Sequence, residues 1–201
     1  MKQVFLSLMA LAISWNVLQA QSMQSIAVGT QAPKVEVKMK DVSGKEVSIK
    51  DMMQENGVLV MFSCNTCPYV IKNQDRTKDI AAYALNNKVG VIVLNPNEAY
   101  RKGEDSYTAM QEYAKAQQYN WPYVVDQNHQ VADAYGATKT PEIFLINKEG
   151  IVVYKGAIDD SPADAKKVER IHLRHAIDEM VTKKDIAVKE SKSVGCTIKR
   201  L

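Results

Sequence analysis

The chain has 201 residues, of which 46% are hydrophobic and 24% charged, with a formal net charge of +3. That length suffices for one domain with a substantial core, and the balance is ordinary for a globular protein. No run of Lys and Arg is dense enough for a nucleic-acid surface, which excludes that class of partner.

Residues 1–20 read as a signal peptide. Lys2 is followed by an apolar stretch from Val4 to Trp15, and Ala20 offers a small residue for cleavage. The stretch is too short for a comfortable membrane span, and no cysteine near the cut offers a lipid anchor. The mature chain is therefore expected to be exported, periplasmic or secreted, with no stable membrane anchor. Residues 21–182 should form one redox domain, and residues 183–201 a polar tail laid over its surface, carrying Cys196.

Val35 to Met39 alternates apolar and polar residues as a half-buried strand does, and Val47 to Ile49 returns after the Ser43-Gly44 turn. Asp51 is placed to cap a short helix before Gly57. Val58 to Phe62 is a continuous apolar run, the mark of a strand buried on both faces. Val70, Ile71, Ile80, Ala81, Ala84 and Leu85 predict one long helix to about Asn86, and Val89 to Leu94 a second buried strand. Two strands joined by a helix call for parallel pairing. Asp105-Ser106 offers a cap for a helix striped with Met110, Tyr113, Ala114 and Gln117, and Tyr123 to Val125 is a short strand after Pro122. Val131 to Tyr135 is a brief helix ended by Gly136. Ile143–Ile146 and Ile151–Tyr154 flank Asn147-Lys148-Glu149-Gly150, a hairpin signal. Val168 to Met180 closes the domain as a helix. This order predicts an α/β fold with a central mixed sheet, helices on both faces, and an inserted helix–strand segment.

The chemistry centres on Cys64-Asn65-Thr66-Cys67-Pro68, directly after a buried strand. With Cys64 at the helix mouth and Cys67 about a turn further in, the two thiols share a face and lie within reach of a disulfide. The unpaired N–H groups and partial positive charge there favour a thiolate, lowering its pKa below about 8.5. Cys64 is the expected attacking thiol and Cys67 the resolving one. Two other readings of the pair are a structural disulfide, whose tiny loop would add little stability, and half of a zinc site completed by His172 and His175. Cys196 is either a third redox thiol or a small hydrophobe under the tail. Glu142 is a candidate proton relay to the buried thiol, and Lys139 could lower a thiol pKa.

The segment Met61-Phe62-Ser63-Cys64-Asn65-Thr66-Cys67-Pro68-Tyr69-Val70 resembles the active-site segment of the peroxiredoxin-like thioredoxin-fold proteins, the redoxin group related to alkyl hydroperoxide reductases. Val28–Pro33, Tyr135–Pro141, Tyr154–Pro162 and Ser193–Lys199 are similar to further landmarks of that group, in the same order. The resemblance implies a thioredoxin-like fold, a cis Pro141 beside the cysteines, and pairing of the backbone at Thr140 and Pro141 with a partner chain. The dithiol itself predicts thiol–disulfide exchange without organic cofactor or metal, with a disulfide-bearing protein as partner because pairing at Pro141 reads main chain, and a reductant outside the cytoplasm needs an upstream donor of electrons from across the membrane. Peroxide reduction at Cys64 is the alternative. Against it, Gly57 and Met61 stand seven and three residues before Cys64, where a typical peroxiredoxin has Pro and Thr.

Overall fold

The structure is a computed structural model and describes residues 24–201. The expected signal peptide lies outside the described residues. Among those described, no helix is long and apolar enough to cross a membrane.

The elements in chain order are β1 (Met39–Lys40), β2 (Glu46–Val47), β3 (Gly57–Phe62), α1 (Pro68–Lys72), α2 (Gln74–Asn86), β4 (Val89–Asn95), α3 (Tyr107–Ala116), β5 (Tyr123–Val125), α4 (Gln130–Tyr135), β6 (Lys139–Thr140), β7 (Glu142–Ile146), β8 (Val152–Gly156), α5 (His172–Val181) and β9 (Cys196–Thr197). The central sheet runs β5-β4-β3-β7-β8. β3 pairs parallel with β4 (Val60 opposite Ile92) and antiparallel with β7 (Val60 opposite Phe144). β4 pairs parallel with β5, and β7 antiparallel with β8. The mixed sheet, the β3–helix–β4 unit and the β7–β8 hairpin agree with the sequence expectations.

Alternation along the strands divides the core into two layers. Leu59, Met61, Val91, Val93, Ile143 and Leu145 face α2, α3 and α5, where Ile80, Met110 and Leu173 meet them. Val58, Val60, Phe62, Ile92, Leu94 and Phe144 face the other way, against α4 through Val131 and Tyr135. Each such side chain, fully buried, contributes about 1.5–3 kcal/mol. β3 is therefore apolar at nearly every position because both its faces are covered.

Three elements differ from expectation. The first strand shrinks to Met39–Lys40, because the chain turns just before it with Lys34 at φ 57°. The long helix breaks at Asn73, where backbone dihedrals leave the helical range and the side-chain Nδ2 donates to Tyr69 O and Pro162 O. The closing helix begins only at His172. Asp51 lies inside a 3-10 turn, Lys50–Met52, where it accepts from Ser48 N.

Both rims of the sheet are covered. Val42 N donates to Tyr123 O and Tyr123 N to Asp41 Oδ1, on the β5 side. On the β8 side, Lys155 N donates to Lys189 O and Ser191 N to Lys155 O. Ser191 Oγ also accepts from Ala157 N and lies 2.6 Å from Tyr154 OH. The tail is thus more than a surface wrap: it lines β8, then crosses to the cysteines, and Ile198 is buried in the second core layer.

Candidate functional site

β3 delivers the chain to Ser63, whose N–H still pairs with Leu94 O, and the backbone then turns into the cysteine loop. Pro68 takes the first position of α1, where a missing N–H costs nothing, and Cys67 is the N-cap. Cys64 therefore precedes the helix by a short loop. This corrects the sequence placement, which put Cys64 at the helix mouth and Cys67 a turn inside.

Three segments meet here. Cys64 Sγ lies 3.3 Å from Thr140 Oγ1, and Cys67 Sγ lies 3.1 Å from Thr140 O. The Thr140–Pro141 bond is cis, as the resemblance implied. β9 pairs antiparallel with β6, with Thr140 opposite Cys196 and Lys139 opposite Thr197. Cys67 and Cys196 are joined by a disulfide, with Cα atoms 5.9 Å apart, and Cys64 is free. The disulfide of this state therefore links Cys67 to the tail rather than to Cys64. Cys196 is no mere hydrophobe under the tail.

Cys64 and Cys67 are only 2% and 3% exposed, whereas Cys196 is partly open. Burial pushes the Cys64 thiol pKa up, and the Asp105 carboxylate pushes it further. Thr140 Oγ1 and the backbone N–H groups of Cys67 and Thr66 pull it back in part. The backbone N–H groups before the helix still lower it, but burial outweighs them, and Cys64 stands a short loop ahead of the helix itself.

A buried polar cradle holds the loop, and sequence reading did not find it. Asn65 N donates to Asp105 Oδ1 (2.9 Å), Asn65 Nδ2 to Glu104 O (2.7 Å), and Tyr123 OH to Asn65 Oδ1 (2.8 Å). Asp105 also accepts from Asn95 Nδ2 and Asn97 Nδ2. Asp105 was expected only as part of a helix cap; Ser106 alone is that cap, accepting from Ala109 N. The available signal was the pair of Asn residues at 95 and 97, polar at the end of an apolar strand.

Glu142 is placed on the proline loop rather than against a sulfur: its carboxylate accepts from Thr138 N (2.7 Å) and Lys139 N (2.9 Å). Burial raises its pKa, while Lys155 and Lys139 pull the other way. Lys139 Nζ reaches Thr197 Oγ1. His172 and His175 lie on α5. Among the described residues no three His, Cys, Asp or Glu side chains are grouped as metal ligands would be.

The site combines a free buried thiol, a neighbouring disulfide and an edge strand that binds a cysteine-bearing segment. Such a set can pass a disulfide from one sulfur to the next. Comparison with known proteins agrees with this chemistry. The chain is 29% identical over 130 residues to the thiol-disulfide oxidoreductase ResA of Bacillus subtilis (strain 168), spanning 65% of this chain and 67% of that protein. The crystal structure of a hypothetical protein from Sinorhizobium meliloti 1021 aligns with TM-score 0.78 and 32% identity, over 89% of this chain and 97% of that one. The thioredoxin domain of a thiol-disulfide oxidoreductase from Bacteroides vulgatus aligns with TM-score 0.56 and 20% identity, over 66% and 90%, a likeness of fold. The sequence pattern of the AhpC/TSA family matches residues 28–155, from the loop before β1 into β8. On that match, and with a thioredoxin-like fold beneath it, the chain belongs to the AhpC/TSA family.

Proposed function

We infer that the protein is an exported thiol–disulfide oxidoreductase acting on disulfides of partner proteins. One observation carries this reading: Cys67 is bonded to Cys196 while Cys64 stands free beside it, both sulfurs against Thr140. A structural disulfide would not need a third, unbonded thiol at the same threonine. Export is supported by the apolar N-terminal stretch and Ala20.

In the reduced protein, Cys64 thiolate attacks a partner disulfide, forming a mixed disulfide and expelling one partner thiolate. Cys67 thiolate then attacks Cys64 Sγ, releasing the second partner thiol and leaving a Cys64–Cys67 bond. Cys196 thiolate attacks Cys67 Sγ in turn, which frees Cys64 and gives the bonding seen in the structure. A dithiol donor supplied from the membrane side returns two electrons to Cys67–Cys196. Glu142 fixes the loop that carries Thr140.

Trapping tests the assignment. Cys67→Ala in the native host should leave a partner covalently joined to Cys64, and Cys64→Ser should leave none. Continued disulfide reduction by Cys67→Ala without any adduct would overturn it.

Peroxide reduction at Cys64 is a second reading, favoured by Thr140 Oγ1 at 3.3 Å, which supplies a hydroxyl where Met61 does not. The raised Cys64 pKa slows both reactions alike, since both need a thiolate, and does not choose between them. Peroxide consumption by the reduced protein no faster than by free cysteine would remove this reading.

A further inference from the structure

The edge that would receive a partner strand is already filled by the protein itself. β6 offers the backbone of Lys139 and Thr140, and β9 takes that offer as an added strand. The added strand places its cysteine opposite Thr140, and the sulfur bonds to Cys67. The N–H of Cys196 also points at Cys67 Sγ, 3.4 Å away. A foreign strand on the same edge would bring its sulfur to the cysteine pair, where Cys64 Sγ stands 3.3 Å from the same Thr140.

The fit has a selective feature. A side chain added at Gly195 would begin 2.1 Å from Thr140 O and 2.7 Å from its carbonyl carbon. Backbone stands there on both sides, so neither partner can yield. A residue larger than glycine directly before the cysteine keeps the strand from closing on Thr140. Beyond the cysteine, the tail is held by Ile198 N on Thr138 O, Lys199 N on Asn97 Oδ1, and Arg200 on Asp133 and Ala137 O. With this strand in place, Cys64 and Cys67 are sealed.

We propose that the C-terminal strand Gly195–Thr197 is a built-in occupant of the partner-binding edge, latched by the Cys67–Cys196 disulfide, and that it alternates there with an extended partner segment carrying a glycine directly before its reactive cysteine. The proposal rests on the exchange activity inferred above and names its substrate class and its control. Opening begins when a donor dithiol attacks Cys196 Sγ. The Cys67–Cys196 bond breaks, Cys67 leaves as thiolate and takes a proton, and the donor's second thiol displaces Cys196 as the donor becomes a disulfide. The two electrons come from the donor, and the freed strand yields its edge to the partner.

Two measurements on the mature full-length protein test this. The first is Cys64 alkylation by iodoacetamide, followed by peptide mapping. The expected rate is about tenfold higher after reduction with dithiothreitol, in the parent and in Cys196→Ser alike, than in the oxidised parent, because a local opening now precedes reaction. Equal rates would show that the strand stays down without its bond and would overturn the latch. The second uses reduced Cys196→Ser, freed of dithiothreitol, with the thionitrobenzoate mixed disulfide of the peptide Ser-Val-Gly-Cys-Thr-Ile, and with the same peptide carrying leucine for glycine. The glycine peptide should release thionitrobenzoate about tenfold faster, the order expected when a strand fits without clash. Equal rates for the two peptides would overturn the proposed selectivity. Rates for both no greater than with free cysteine would instead overturn the exchange activity itself.

Discussion

Replacing Asp105 by Asn changes almost no volume, yet the cradle under the cysteine loop has no place for the new amide. Asp105 Oδ1 accepts from Asn65 N (2.9 Å) and Asn95 Nδ2 (2.8 Å), and Oδ2 accepts from Asn97 Nδ2 (2.9 Å). The residue is fully buried. Whichever way the new side chain turns, its NH2 faces another donor. Asn97 cannot rotate to help without losing Lys199 N, which its Oδ1 accepts at 2.9 Å. One charge-assisted bond is lost and at least one buried donor is stranded, at about 1–3 kcal/mol each. The sum, about 3 kcal/mol, corresponds to a melting temperature lower by roughly 6–12 °C for a domain of this size. The same charge raises the Cys64 pKa, so its removal should lower that pKa. Calorimetry reads the first effect, and the pH dependence of Cys64 alkylation in the oxidised protein reads the second. A variant as stable as the parent, with Cys64 titrating unchanged or higher, would refute the assignment of Asp105 as the anchor of the loop.

Other outcomes follow from single contacts. Arg76→Met leaves the fully buried Asp159 side chain without the guanidinium 2.5 Å away and should cost about 3–5 kcal/mol in urea unfolding, largely recovered by adding Asp159→Leu. Asp126 is buried, and burial raises its carboxyl pKa from 3.8 to about 6. The folded state then binds the proton more tightly than the unfolded state. Its contribution of about 3 kcal/mol is full below pH 3.8 and is lost as pH rises through about 6. Asp126→Asn should therefore flatten stability against pH in that window, and an unchanged slope would contradict the shift. Ile198→Ala removes the apolar anchor beyond Cys196, an Ile 3% exposed. It should speed reduction of Cys67–Cys196 by dithiothreitol about tenfold through local opening; an unaltered rate would place the anchor elsewhere.

Much of the architecture could be read from periodicity. β3 and β4 are unbroken apolar runs because both faces are covered, and the β7–β8 turn carries its own turn residues. The proline loop and the cysteine pair were legible as motifs. What escaped depends on distant contacts. Between Ile71 and Ile80 the chain is polar, a gap in the apolar stripe where the helix breaks, but nothing local announces that the Asn73 amide will be drawn to Pro162 O. The Cys67–Cys196 bond joins residues 129 apart, and no local pattern encodes which of three sulfurs pair. Cys64 acidity escaped for a similar reason: helix polarity was visible in the sequence, but the burial that raises the pKa and the Asp105 charge come from distant parts of the chain.

The covering of β8 by Lys189–Ser191 bears on how far the tail can swing. A bare strand rim invites stacking of one molecule on another, so a movement that peeled the tail back to residue 189 would exchange one hazard for another. Ser191 guards against this. Its backbone presses on Gly156 so closely that a methyl group there would sit 2.5 Å from Ser191 O. Its hydroxyl is held by Ala157 N and Tyr154 OH. The pivot therefore belongs between Ser191 and Gly195, in the short stretch Lys192-Ser193-Val194. Everything upstream stays fastened as a seam against self-association while the final few residues come and go.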